Sequence, residues 1–107
     1  MPLPDRVDPV FDALADATRR QVLRHLAERG PQTPTELADV LPVSRQAVSK
    51  HLDVLGRAGL VTSSRAGRET RFTFRAAPLT DAAEWMADVG AKWDSRLEAL
   101  KKRLSSS

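Results

Sequence analysis

"VSRQAVSKHLDVLGRAGLVTSSRAGRETRFTFR", Val43 to Arg75, holds two patterns back to back. In its first half Val48, Leu52 and Leu55 recur on one helical face, while Gln46, Ser49, Lys50 and Asp53 fall largely on the other. Ser44 stands ahead of this helix as an N-cap, its hydroxyl available to an early backbone N–H and worth about 1 kcal/mol. In the second half, after Gly56 and Gly59, "LVTSSR" and "TRFTFR" are β-prone, and Phe72 and Phe74 alternate with Arg71, Thr73 and Arg75. The intervening "AGRE" makes a turn, so the strands form a hairpin. A polar-faced helix followed by an arginine-bearing hairpin decides the fold, and the other segments are placed around it.

Upstream, "TPTE" at 33–36 has the form of a capping box: Thr33 as cap, Pro34 at the first helical position, Glu36 reaching back. A short helix from Pro34 to about Leu41 follows, closed because Pro42 disfavours helical geometry at the residue before it. Before that, Asp16 suits the N-cap of a helix running to about Glu28 that turns Leu14, Val22, Leu23 and Leu26 inward, and Gly30-Pro31 stops it. Val10 to Ala15 makes a first short helix. Residues 79 to about 104 make a last one, with Ala82, Met86, Val89, Trp93, Leu97, Leu100 and Leu104 stepping by threes and fours. The expected architecture is mainly α with a small β-hairpin, in the order α-α-α-α-β-β-α. Residues 1–9 read as a flexible arm, 10–78 as the core domain, 79–104 as a C-terminal helix and 105–107 as a tail.

At 107 residues the chain fits one domain, and a monomer of this size buries only about two thirds of its unfolded surface. There are no cysteines, which excludes disulfides, thiolate metal sites and thiol catalysis. No apolar run approaches the roughly 18 residues of a membrane span, and "MPLPDRVDP" is too polar and proline-rich for a signal peptide, so a cytoplasmic protein with no membrane partner is expected. Net charge is only +3, yet residues 44–75 carry seven Lys or Arg against two acids. The basic excess is local and points to an anionic partner for that segment.

Two capped helices joined by a tight turn form a helix-turn-helix, whose second helix enters the major groove of DNA N-terminus first. The early residues of that helix, Ser44, Arg45, Gln46, Ser49 and Lys50, are then the ones that reach base edges. Arg takes guanine bidentately, Gln takes adenine, and Ser or Lys serves bases or phosphates. His51, one step on, either contacts a phosphate or fills space beside the core. The hairpin adds Arg65, Arg68 and Arg71, with Arg65 and Arg68 flanking Gly67 at the turn, and guanidinium groups there lie along the backbone or enter the minor groove. Phe72 and Phe74 anchor the hairpin to the core. The last helix spans about 39 Å over its roughly 26 residues, long beside so small a domain. Its stripe of Met86, Val89, Trp93, Leu97 and Leu100 approximates a 3.5-residue period, which a second copy of the same helix would cover.

The segments "DATRRQVLRHL", "ELADVLPVSRQAVSKHLDVLGRAGLV" and "RAGRETRF", in this order and spacing, resemble the ArsR/SmtB family of bacterial winged-helix transcriptional repressors over roughly Phe11 to Leu104. The resemblance implies a homodimer through the first and last helices, which adds Phe11 to the interface. It further implies an inverted-repeat DNA operator, a small-molecule or other effector that ends repression, and action on the bacterial nucleoid. Well-known members sense metals through cysteines at the start of the third helix, where this chain has Thr33 and Thr35. Others use His and carboxylates on the last helix, but His25 and His51 both lie outside it. No metal and no cofactor are therefore expected, and the sensed signal stays open.

Competing readings stand beside these. Trp85 and Trp93 either pack a core or dimer interface or line a ligand pocket. His25 is a surface or partly buried residue. Asp81, Glu84 and Asp88 are explained by the macrodipole of the last helix or, alternatively, hold a hard cation. Without a Gly-rich phosphate loop or a credible Ser/His/acid set, enzyme function has little support. Three function classes remain: a dimeric sequence-specific regulator, a winged-helix module gripping RNA or DNA without sequence preference, and a protein-interaction domain centred on the last helix.

Overall fold

The computed structural model describes residues 7–105. They form α1 (Asp8–Leu14), α2 (Ala17–Arg29), α3 (Pro34–Val40), α4 (Arg45–Arg57), β1 (Val61–Ala66), β2 (Glu69–Phe74) and α5 (Ala77–Ser105). The order is the expected one, with shifts at the ends. α1 starts at Asp8, not Val10, because Pro9 fits the first helical turn, where its missing N–H is not needed. Val7 is 1% exposed, and its carbonyl accepts from the N–H groups of Val10 and Phe11 at 3.0 and 3.2 Å. The last three residues of the expected arm thus belong to the domain, and the rest of it, 1–6, lies outside the described residues. Ser105, placed in the tail from sequence, ends α5; residues 106–107 lie outside the described residues. α5 also begins two residues early, at Ala77, with Pro78 in its first turn.

Three helix starts carry the side-chain caps their sequences promise. Asp16 accepts from the Arg19 N–H at 3.0 Å, and Ser44 Oγ from the Ala47 N–H at 3.1 Å. Thr33 and Glu36 complete the capping box, the hydroxyl accepting from Glu36 N–H at 3.1 Å and the carboxylate from Thr33 N–H at 3.2 Å. α1, seven residues long, is too short to stand alone. Its last carbonyls are taken up from α2: Arg19 Nε donates to Ala13 O at 2.8 Å and Nη2 to Asp12 O at 3.1 Å, and Arg20 Nη1 donates to Leu14 O at 2.6 Å. The two arginines of "DATRR" therefore close the preceding helix, satisfying acceptors that a helix C-terminus otherwise leaves to water.

The core is built where α1–α4 and the start of the hairpin converge. Leu26, Leu37, Val48, Leu52, Leu55 and Leu60 are fully buried, and Phe72 and Phe74 pack half-buried against them, as their alternation predicts. β1 and β2 pair antiparallel from Val61↔Phe74 to Ala66↔Glu69, leaving Gly67-Arg68 as a two-residue loop. Gly67 has φ +64°, and no other residue type takes a positive φ among the described residues. A positive φ at the first loop position alone is the type II′ pattern, which matches the twist of the strands it joins. The loop between α2 and α3 adds a further pairing: Gln32 N–H donates to Phe72 O at 3.1 Å, and Phe72 N–H donates to Gln32 O at 2.8 Å. Of α5, only Ala82 is buried; every residue from 91 to 105 is exposed.

A Cβ at Gly67 meets nothing within 4 Å, so Gly67→Ala is penalised by backbone geometry alone. It should destabilise the hairpin by about 1–3 kcal/mol, seen as a lower denaturant midpoint with an unchanged slope. Asp16 supplies a pH signature. The Arg19 N–H is the main cause holding its carboxyl below the ordinary value of 3.8. Its contribution to stability is therefore complete above that ordinary value and lost as pH falls through the lowered one. Chemical denaturation between pH 5 and 2 should show the loss in the native chain and a shallower decline in Asp16→Asn, whose amide oxygen keeps the cap without titrating.

Candidate nucleic-acid interface

Burial of Val48, Leu52 and Leu55 fixes the rotation of α4 and so decides what it shows to solvent. Arg45, Gln46, Lys50 and Asp53 are exposed, and Ser49 is half-buried beside them. Ser44 is exposed too, but its hydroxyl oxygen already serves as the cap. Of these side chains, Arg45, Ser49 and Asp53 border an open cleft of about 620 Å³, closed on its other sides by Thr35 and Glu36 of α3 and by Arg68, Glu69 and Arg71 of the hairpin. The helix face and the wing that the sequence separates by a dozen residues thus form two walls of one groove. Arg45 and Lys50 have no ion-pair partner among the described residues, nor does Arg68 at the wing tip. Two unneutralised cations on the cleft, Arg45 and Arg68, with Lys50 exposed on the same helix as Arg45, make a field suited to a polyanion.

Two residues singled out from sequence sit differently from their neighbours. His51 is half-buried, with Nδ1 enclosed and unpartnered. One turn from both Val48 and Leu55, it borders the packed side of α4. Arg71, half-exposed on the cleft wall, is engaged by acids of its own chain. Its Nη1 lies 3.2 Å from Glu36 Oε1 and its Nη2 3.1 Å from Glu69 Oε2. Arg65 and Arg68 remain at the wing tip, the former with its Nε donating to Gly67 O at 3.4 Å. Glu36, read from sequence only as a cap, is a wall of the cleft and an anchor for the wing. Its capping pattern was visible, whereas its partner stands 35 residues away.

The stripe expected at a dimer contact is bare. Met86, Val89, Trp93, Leu97 and Leu100 are exposed along one side of α5, Trp93 to 59%. Phe11 is instead half-buried at the junction of α1 and α5, its ring edge-on to that of Trp85 with centroids 5.7 Å apart. Trp85 Nε1 is enclosed there without an acceptor. His25 is half-buried, and Asp88 pairs with Lys92 at 3.2 Å. No group of three or more His, Asp or Glu that could hold a metal ion occurs among the described residues, and no helix there is long and apolar enough to cross a membrane.

Comparison with known proteins places this geometry in a lineage. Residues 14–64, from the end of α1 into β1, match a family model described as a helix-turn-helix domain. The chain is 44% identical to an ArsR-like transcriptional regulator from Rhodococcus sp. RHA1 of known structure, superimposing with a TM-score of 0.82 over 91% of each chain. It is 31% identical over 88 residues to the transcriptional repressor SdpR of Bacillus subtilis, covering 82% of this chain and 97% of that protein. A homodimeric winged helix-turn-helix DNA-binding domain from Mycobacterium bovis, solved by NMR, is 30% identical, with a TM-score of 0.63 over 88% of this chain and 83% of the other. The chain therefore belongs to the ArsR family of winged helix-turn-helix transcriptional regulators.

Proposed function

We propose that the protein is a sequence-specific repressor that binds an inverted-repeat operator as a homodimer, with residues 10–78 as the reading domain and 79–104 as the dimerisation helix. One observation carries this: the capped N-terminal half of α4 and the wing tip face the same cleft, where Arg45 and Arg68 have no ion-pair partner among the described residues. In this reading α4 enters the major groove, where Arg45 and Gln46 meet base edges, Ser44, Ser49 and Lys50 share bases and phosphates, and Arg65 and Arg68 hold the adjoining backbone. His51 supports α4 from behind. Repression is favoured by the likeness to SdpR, and the site of action is the nucleoid in the bacterial cytoplasm.

A second copy is called for on physical grounds as well as by likeness to the homodimeric M. bovis domain. A contiguous apolar stripe on an isolated helix is unfavourable in water, and a two-fold partner supplies the second half-site that one recognition helix lacks. A small-molecule effector completes the proposal.

Selection from random duplexes at physiological salt tests the core of this. Two related half-sites with centres about 34–36 Å apart are expected; tight binding without an enriched motif would transfer the function to non-specific DNA or RNA. On the selected operator, Gln46→Ala should lower discrimination at particular base pairs by about 1–3 kcal/mol each, while Arg68→Ala should weaken all sequences alike and reduce the salt slope by about one. Trp93→Asp should convert the dimer to monomer in sedimentation, since it places a charge in the centre of the apolar stripe.

A further inference from the structure

Arg71 departs from the other arginines of the hairpin in a way that assigns it a different job. It lies on β2 three residues past the wing tip, its side chain 39% exposed, and each terminal nitrogen of its guanidinium meets a different acid. Glu69 is on the same strand. Glu36 is on α3, and the oxygen that receives Arg71 Nη1, Oε1, is the one that accepts the Thr33 N–H in the capping box. The next residue along β2, Phe72, exchanges both backbone hydrogen bonds with Gln32, immediately before the cap residue. Side-chain and backbone bonds thus tie the hairpin to the start of α3 at adjacent positions. α3 packs directly on α4, so the tie fixes the hairpin relative to the recognition helix.

We propose that Arg71 is a positioning residue and not a DNA contact: its fork between Glu36 and Glu69 fixes the angle at which the wing presents Arg65 and Arg68 beside α4. This rests on α4 and the wing being the DNA interface. The chemistry selects arginine, because a planar guanidinium spans two carboxylates held on different elements, whereas an ammonium is a single point charge. Glu36 and Glu69 have a second effect. They neutralise the guanidinium and add negative charge to the cleft wall, which makes this corner of the groove a poor seat for a phosphate.

Three substitutions distinguish positioning from contact, read as affinity and salt slope on the operator selected by the native protein. Arg71→Lys keeps the charge, so a phosphate contact would survive it; loss of the fork predicts binding about two- to fivefold weaker, the factor expected for a partly exposed ion pair, with the salt slope unchanged. Arg71→Gln should lose as much, again without the slope decrease of about one expected for Arg68→Ala. Glu36→Gln gives the sharpest sign. Removing an acid from a DNA-facing cleft strengthens binding on electrostatic grounds alone, whereas positioning predicts that binding weakens. Because the amide keeps an oxygen for the capping box, helix α3 is preserved in that variant.

Amide hydrogen exchange on the DNA-free protein makes the test independent of the operator. Exchange at Gln32 and Phe72 should quicken in Arg71→Gln and Glu36→Gln, with protection in α2 and α4 retained. Unchanged exchange at those two amides, tighter binding by Glu36→Gln, or a salt slope lowered by Arg71→Gln would each overturn the assignment. Absence of any operator for the native protein would instead overturn the proposed function, and exchange alone would then decide whether Arg71 sets the wing.

Discussion

The face that α4 turns to solvent follows from the burial of three aliphatic side chains, Val48, Leu52 and Leu55, along it. A helix of 13 residues has no means of choosing its own rotation; the stripe chooses it. With those residues under α1, α2 and α3, the opposite face carries Gln46, Lys50 and Asp53 outward, and Arg45 and Ser49 turn toward the wing. The same division explains His51: a side chain bordering the stripe is drawn into packing whatever its polarity.

The domain is also small enough that single polar bonds carry architecture. α1 and α3 have seven residues each, too few for autonomous helices, and both are secured from outside. α1 is closed by Arg19 and Arg20, and α3 is opened by a capping box whose acid is shared with the hairpin. A few charged side chains, Arg19, Arg20, Arg71 and Glu36, thus serve as joints between elements. A count of basic residues therefore overstates the charge offered to a ligand, and only pairing in three dimensions separates Arg68 from Arg71.

Legibility from sequence divides along the same line. Element order, three caps, the helix-turn-helix, the hairpin and the apolar stripe of α5 were all written in local patterns of one to four residues, which is the range over which periodicity and capping operate. The tie from Arg71 to Glu36, the pairing of Gln32 with Phe72 and the clamp on α1 were not, because each joins groups on different elements and no spacing announces it. Val7 illustrates the boundary case. A proline-rich, polar start reads as an arm, yet one valine at the right distance from Val10 is enough to draw the chain into the core. Among the candidate site residues, the exposure of the α4 face and of the wing tip was legible; the pairing of Arg71 with Glu36 and Glu69 was not.

The bare half of α5 has a consequence for abundance. Residues 91–105 are all exposed, and an isolated helix of about 15 residues is marginal in water. With a second copy as the cover, the order of the last turns becomes a function of how much protein is present, since association stabilises only by mass action. A newly made, dilute pool would then hold incomplete helices and single reading heads; a larger pool would hold finished pairs. The level of the protein would itself be an input to the switch, entering through the least supported stretch of the chain.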